Sequence, residues 1–133
     1  MVEAVRVHTR YDLSNENGET RRQRYERLSK PVPSFEIPTE GIYLWDMFYQ
    51  LTNAIHRVDF NGNYYVMQPS EIFAWLSLTK NLISPIEYDI LNAMDVVFCN
   101  ELNADINAIR EKEELKRKQE MEAAKAKSRV RRR

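Results

Sequence analysis

The sequence predicts a mainly α-helical protein: a small three-helix core with a short hairpin or looped corner, a mobile N-terminal segment and a long charged C-terminal helix. Ser84-Pro85-Ile86-Glu87 reads as a helix start. Ser84 accepts from the backbone N–H three residues on, Glu87 reaches back to the N–H of Ser84, and Pro85 takes the first helical position, where no hydrogen bond is lost. From there Ile90, Leu91, Met94, Val97, Phe98 and Leu102 recur at spacings of three and four, the pattern of a helix with one face on a core. Nearly all the large apolar residues lie within residues 40–105, and the stretches on either side are too polar to fold alone.

Residues 1–39 are expected to be a mobile segment. Val2, Ala4, Val5 and Val7 alternate like a short strand, and the stretch after Tyr11 is rich in turn formers. An isolated strand is unstable in water, so this piece is ordered only by pairing with another chain. Residues 19–30 form a charged helix with Thr20 as its cap, a thin apolar line of Tyr25 and Leu28, and Arg21, Arg22, Arg24 and Arg27 on a solvated face. Pro31, Pro33 and Pro38 then hold an extended linker that lays Phe35 and Ile37 against the core.

The core domain is placed at residues 40–109. Its first helix spans about residues 41–58, with Leu44, Trp45, Phe48, Leu51 and Ile55 inward and Asp46, Gln50, Asn53 and Arg57 outward. Asn61-Gly62 is a tight-turn pair requiring positive φ, set between Val58, Phe60 and Tyr64, Val66. Gln68-Pro69-Ser70-Glu71 opens the second helix, whose packing residues are Ile72, Phe73, Trp75, Leu76 and Leu78, and Asn81 ends it. The inner faces together place Trp45, Phe48, Phe73, Trp75, Leu91, Met94 and Phe98 at the centre of the core. In residues 110–133 the helix formers Glu, Lys, Arg, Gln and Ala continue the third helix, with pairs such as Glu113 and Arg117 four apart, until it frays after about Ala124.

Composition narrows the function classes. The 133 residues carry no net formal charge, yet residues 40–109 hold nine acids against two bases, and residues 110–133 eleven bases against five acids. An acidic core bearing a basic tail suggests partners of more than one sign, or a tail that folds back on its own domain. The single cysteine, Cys99, sits among Val96, Val97 and Phe98 and reads as a packed thiol. His8 and His56 have no partners at ligand or triad spacing, and three glycines leave no phosphate-cradling loop. No catalytic residue, metal site or cofactor is therefore assigned. No apolar run is long enough to span a membrane and no signal-peptide order begins the chain, which points to a cytoplasmic protein.

The core runs in the order Tyr43-Leu44-Trp45-Asp46-Met47-Phe48, a loop, Glu71-Ile72-Phe73-Ala74-Trp75, a short turn, and Ser84-Pro85-Ile86-Glu87-Tyr88 leading to Met94-Asp95. This succession resembles the small helical domain of tail assembly chaperones from long-tailed, siphovirus-like bacteriophages, over about half the chain. The resemblance implies a non-enzymatic role in the cytoplasm of an infected bacterium: binding the tape measure protein, and the tail tube protein as a further partner, before the tail assembles. Trp45, Phe48, Tyr64, Tyr65 and Trp75 are the candidates for partner contact. The alternative reading is a nucleic-acid-associated protein acting through the basic tail, Arg129, Arg131, Arg132 and Arg133. The acidic core argues against a phosphate backbone laid across it.

Overall fold

The computed structural model describes residues 1–13 and 18–132 and is mainly α-helical, with no strand among those residues. Arg133 and part of the turn-former stretch after Tyr11 lie outside the described residues. The helices are α1 (Val2–Tyr11), α2 (Arg21–Arg27), α3 (Ile42–Ala54), α4 (Pro69–Thr79) and α5 (Pro85–Arg131), with a 3-10 turn, Thr39–Gly41, leading into α3. Residues Met1–Leu102 form one compact unit and Asn103–Arg133 a second, whereas the sequence placed limits near residues 40 and 110.

The first correction falls at the N-terminus. The expected mobile strand is helix α1, with Ala4, Val5, Val7 and Thr9 buried. Met1, Ala4, Val5 and His8 share a helical face, and the concurrent burial of Val7 and Thr9 widens that stripe until it also reads as alternation. Met1 packs against Gly41, where an added Cβ would stand 2.8 Å from the Met1 sulfur, so a larger residue there would displace the end of the flexible Met1 side chain. Thr20 caps α2 as expected, accepting from the Gln23 N–H at 3.2 Å while Gln23 returns a bond to the Thr20 N–H. Arg22 is not on a solvated face. It forms a fork with the Asp12 carboxylate and donates to the Pro33 carbonyl at 3.2 Å, tying α1, α2 and the linker together. Phe35 reaches the fold as expected, against His8 and Trp45.

Helix α3 stops at Ala54, four residues earlier than expected, because Ile55 turns to an extended conformation. That turn carries Arg57, assigned to the outer face, into the core. The hairpin region is a looped corner with one isolated antiparallel bridge, Val58 to Tyr64. Asp59 Oδ1 accepts from the N–H groups of Asn61 and Asn63, and Gly62 supplies the positive φ. In α4, Ile72 is buried and Trp75 and Leu76 are half-buried, but Phe73 is 72% exposed and Leu78 points to solvent as well. The run Ile72-Phe73-Ala74-Trp75-Leu76 is apolar on all sides, so periodicity alone does not select the inner stripe.

Helix α5 starts as expected. Glu87 N–H donates to Ser84 Oγ at 3.3 Å, and the Glu87 carboxylate accepts from the Ser84 N–H. Leu91, Met94, Phe98 and Cys99 bury its inner face against Val5, Leu44, Phe48, Leu51, Met67 and Ile72. Asp95 lies on the same face and pairs with Arg57, the two side chains being 2% and 1% exposed. Asp95 also accepts from the Met67 N–H at 2.7 Å, while Arg57 reaches Thr52 Oγ1 at 3.1 Å and lies 4.9 Å from the Phe98 ring centroid. Burial lowers the pKa of Arg57 yet leaves it a cation, so the pair is a charged pin inside the core. In the second unit the helix continues to Arg131 instead of fraying after Ala124. No glycine or proline follows Pro85, pairs such as Glu114 with Lys118 at 2.7 Å brace it, and Arg129 and Arg131 suit its negative end.

Candidate functional site

Chemistry-bearing side chains are spent on structure. Among the described residues no group of three His, Cys, Asp or Glu is placed to hold a metal ion. Cys99 is buried, and burial pushes its thiol pKa up, away from nucleophilic use. His8 stands edge-on to Trp45 and Tyr49 at 5.4 and 5.2 Å, and Asp12 is 3.5 Å from its Nδ1. Burial lowers its pKa against the pull of Asp12.

An apolar groove of about 760 Å³ lies between α4, its link to α5, and the first turns of α5. Pro69, Ile72, Phe73 and Leu76, at helical spacing, form one wall; Leu82 and Ile83 close the end; Pro85 and Tyr88 form the other wall. Local chemistry holds this shape. Helix α4 opens with the Gln68 N–H bonded to Glu71 at 2.9 Å and closes with Lys80 in the left-handed region, the Asn81 N–H returning to the Leu76 carbonyl at 3.0 Å. Ser84 then caps α5, so the link is clamped by a helix end on each side. Glu87 of that cap also accepts from the Tyr43 hydroxyl of α3. The Ser84 N–H, and next the Tyr43 hydroxyl, lower its pKa.

Clamping the link leaves Leu82 95% exposed, with Phe73 and Ile86 also about three-quarters exposed. Covering one such side chain stabilises a complex by about 1.5–3 kcal/mol, before the costs of association.

The residues expected to touch partners are scattered by the structure. Phe48 is fully buried and belongs to the core, not to an interface. Trp45 is half-buried in the ring cluster with His8, Phe35 and Tyr49. Tyr64 sets its edge on Phe98, and Tyr65 is partly exposed in the looped corner. Of the five, Trp75 alone borders the groove, in a hollow with Tyr43, Asp46, Met47, Gln50 and Asn81, and Asn81 also lines the groove. Arg129, Arg131 and Arg132 are exposed at the end of α5. The groove residues Phe73 and Leu82 were missed because Phe73 was counted as core and Leu82 falls in a link. The available signal was Leu82-Ile83, an apolar pair in a link too short to bury it.

No protein-family model matches the chain, and comparison with curated proteins and with solved structures finds no match either. No helix among the described residues is long and apolar enough to cross a membrane.

Proposed function

We propose that this chain is a tail assembly chaperone of a long-tailed bacteriophage, which binds the tape measure protein, with the tail tube protein as a second partner, and keeps it soluble in the host cytoplasm until the tail assembles. The observation that supports this reading is the apolar groove between α4 and α5, whose exposed Phe73 and Leu82 sit on a clamped helical frame. A holdase needs such a surface together with charged flanks that keep the complex in solution. The resemblance of the helix order to that family supplies the client.

The test is co-expression with the candidate tape measure protein from the same genome. The parent chain is expected to keep the client soluble and co-purify with it, and Phe73→Ser with Leu82→Ser is expected to abolish both while leaving the fold intact, since both side chains are exposed. A competing reading, phosphate-backbone binding through the exposed Arg129, Arg131 and Arg132, is examined by titrating nucleic acid at low and moderate salt. Tight, salt-sensitive nucleic-acid binding with no effect on the client would replace the chaperone reading.

A further inference from the structure

We propose that the end of α5 is a separate binding surface for duplex DNA, lying in the major groove with a row of cations toward each of the two phosphate walls. This stands independently of the chaperone reading, because none of the residues involved lines the groove between α4 and α5.

The charge pattern changes abruptly along α5. Over residues 110–122 five bases are interleaved with five acids, and they pair along the helix, Lys118 with Glu114 at 2.7 Å and Lys116 with Glu120 at 4.0 Å. From residue 123 onward there are six bases and no acid. Of these, Lys125, Lys127, Arg129, Arg131 and Arg132 are exposed and form no ion pair among the described residues. The helix dipole accounts for cations only within the last turn, which holds Arg129 and Arg131 but neither lysine. Like charges four apart, as in Lys125 with Arg129 and Lys127 with Arg131, weaken a helix, and a polyanion alongside removes that penalty.

The placement of the cations selects among polyanions. Lys125 and Arg129 lie one turn apart on one side of the helix, and Arg132 continues that row just past its end. Lys127 and Arg131 form a second row, offset by two residues and therefore almost opposite the first. Between the rows sit small side chains, Ala126 on one face and Ala124 and Ser128 on the other, with the Ser128 hydroxyl bonded back to the Lys125 carbonyl at 2.9 Å. A helix about 10–12 Å across fits the B-DNA major groove, about 12 Å wide, which has phosphates on both sides. A flat acidic protein surface would satisfy one row and leave the other unpaired. The deep, narrow major groove of duplex RNA does not admit a helix. A single strand is held by stacking on aromatic rings, and no aromatic residue follows Phe98.

The test titrates the full chain, by anisotropy, against a labelled DNA duplex of about 20 base pairs, the RNA duplex and the single DNA strand of the same sequence, with polyglutamate as competitor. The DNA duplex is expected to bind most tightly, with a log–log salt slope of about −4, which is a loss of about 250-fold in affinity between about 50 and 200 mM salt. Lys125→Gln with Arg129→Gln, and separately Lys127→Gln with Arg131→Gln, should each reduce the slope by about 2, whereas Lys116→Gln with Lys118→Gln, whose charges are already paired, should leave it unchanged. No duplex binding at low salt, equal binding of the RNA duplex or the single strand, displacement by polyglutamate at equal charge, or a slope that either row variant leaves intact would overturn the proposal. Client retention is read on the same variants. If the duplex is bound through both rows and the tape measure protein is not held, the DNA surface stands and the chaperone reading falls; if the client is held and the duplex is not bound, the reverse follows.

Discussion

Replacing Asp95 with alanine would remove the carboxylate that faces Arg57 inside the core. The guanidinium is 1% exposed and its Nε already lacks an acceptor among the described residues, so it has no route to water without opening the fold. Leaving one partner of a buried pair uncompensated costs about 3–5 kcal/mol. The same substitution strips the Met67 N–H of its acceptor, worth about 1–3 kcal/mol on its own. The two overlap, so a loss of about 4–6 kcal/mol is expected, against a total of about 5–15 kcal/mol for a domain of this size. Asp95→Asn keeps an acceptor for Met67 and is expected to cost less, about 3 kcal/mol. Arg57→Met with Asp95→Leu removes both charges and should return to within about 1–3 kcal/mol of the parent, the remainder being the orphaned Met67 N–H. Urea unfolding followed by tryptophan emission is the assay, because both tryptophans, Trp45 and Trp75, lie in the unit Met1–Leu102 and α5 beyond it contributes no signal. If Asp95→Ala unfolds within about 1 kcal/mol of the parent, the pair is not desolvated and this account of the core fails.

Two further outcomes follow from local interactions. Ser84→Ala should destabilise the same unit by about 1 kcal/mol in the urea assay, and Glu87→Gln by less, because an amide oxygen still accepts from the Ser84 N–H. Acid titration should show two separate losses of stability. Burial holds the His8 pKa below its ordinary 6.5, so the unfolded chain binds that proton first and stability declines as pH falls below about 6.5. Asp12, lowered chiefly by its hydrogen bond from Arg22, contributes stability that is lost further down, as pH falls through the range below its ordinary 3.8. His8→Gln should erase the first decline and keep the second; a decline near pH 6 that survives this substitution would assign it to another group.

Much of the frame was legible because it is written in short-range chemistry. The Ser84 capping box, the Pro69 helix start, the Asn61-Gly62 turn and the inner stripe of α5 depend on residues within one or two turns of each other, and each stands where the sequence placed it. The errors came where several faces compete or where a partner lies far along the chain. The buried positions of α1 fit a strand pattern as well as a helical one, and the run around Phe73 is apolar on every side. Arg57 was assigned outward because its partner lies 38 residues away. The clue was Asp95 itself, an acid flanked by Leu91, Met94 and Phe98 on an inner stripe, which demands a buried counter-charge. The groove between α4 and α5 was the least legible feature, since it arises from how two capped helices are clamped across a link, and only the clamped geometry shows Leu82 left outside.

The most direct test of the docking claim is site-specific photocrosslinking in cells that co-express the candidate tape measure protein. A photoreactive phenylalanine analogue placed at Leu82 or Phe73 tolerates the bulk because both side chains are exposed. A crosslink to the client from these positions, and none from Phe60 in the looped corner or Lys127 near the end of α5, is the result the account predicts. Crosslinks that arise from Lys127 or Phe60 while Leu82 and Phe73 stay silent would contradict it.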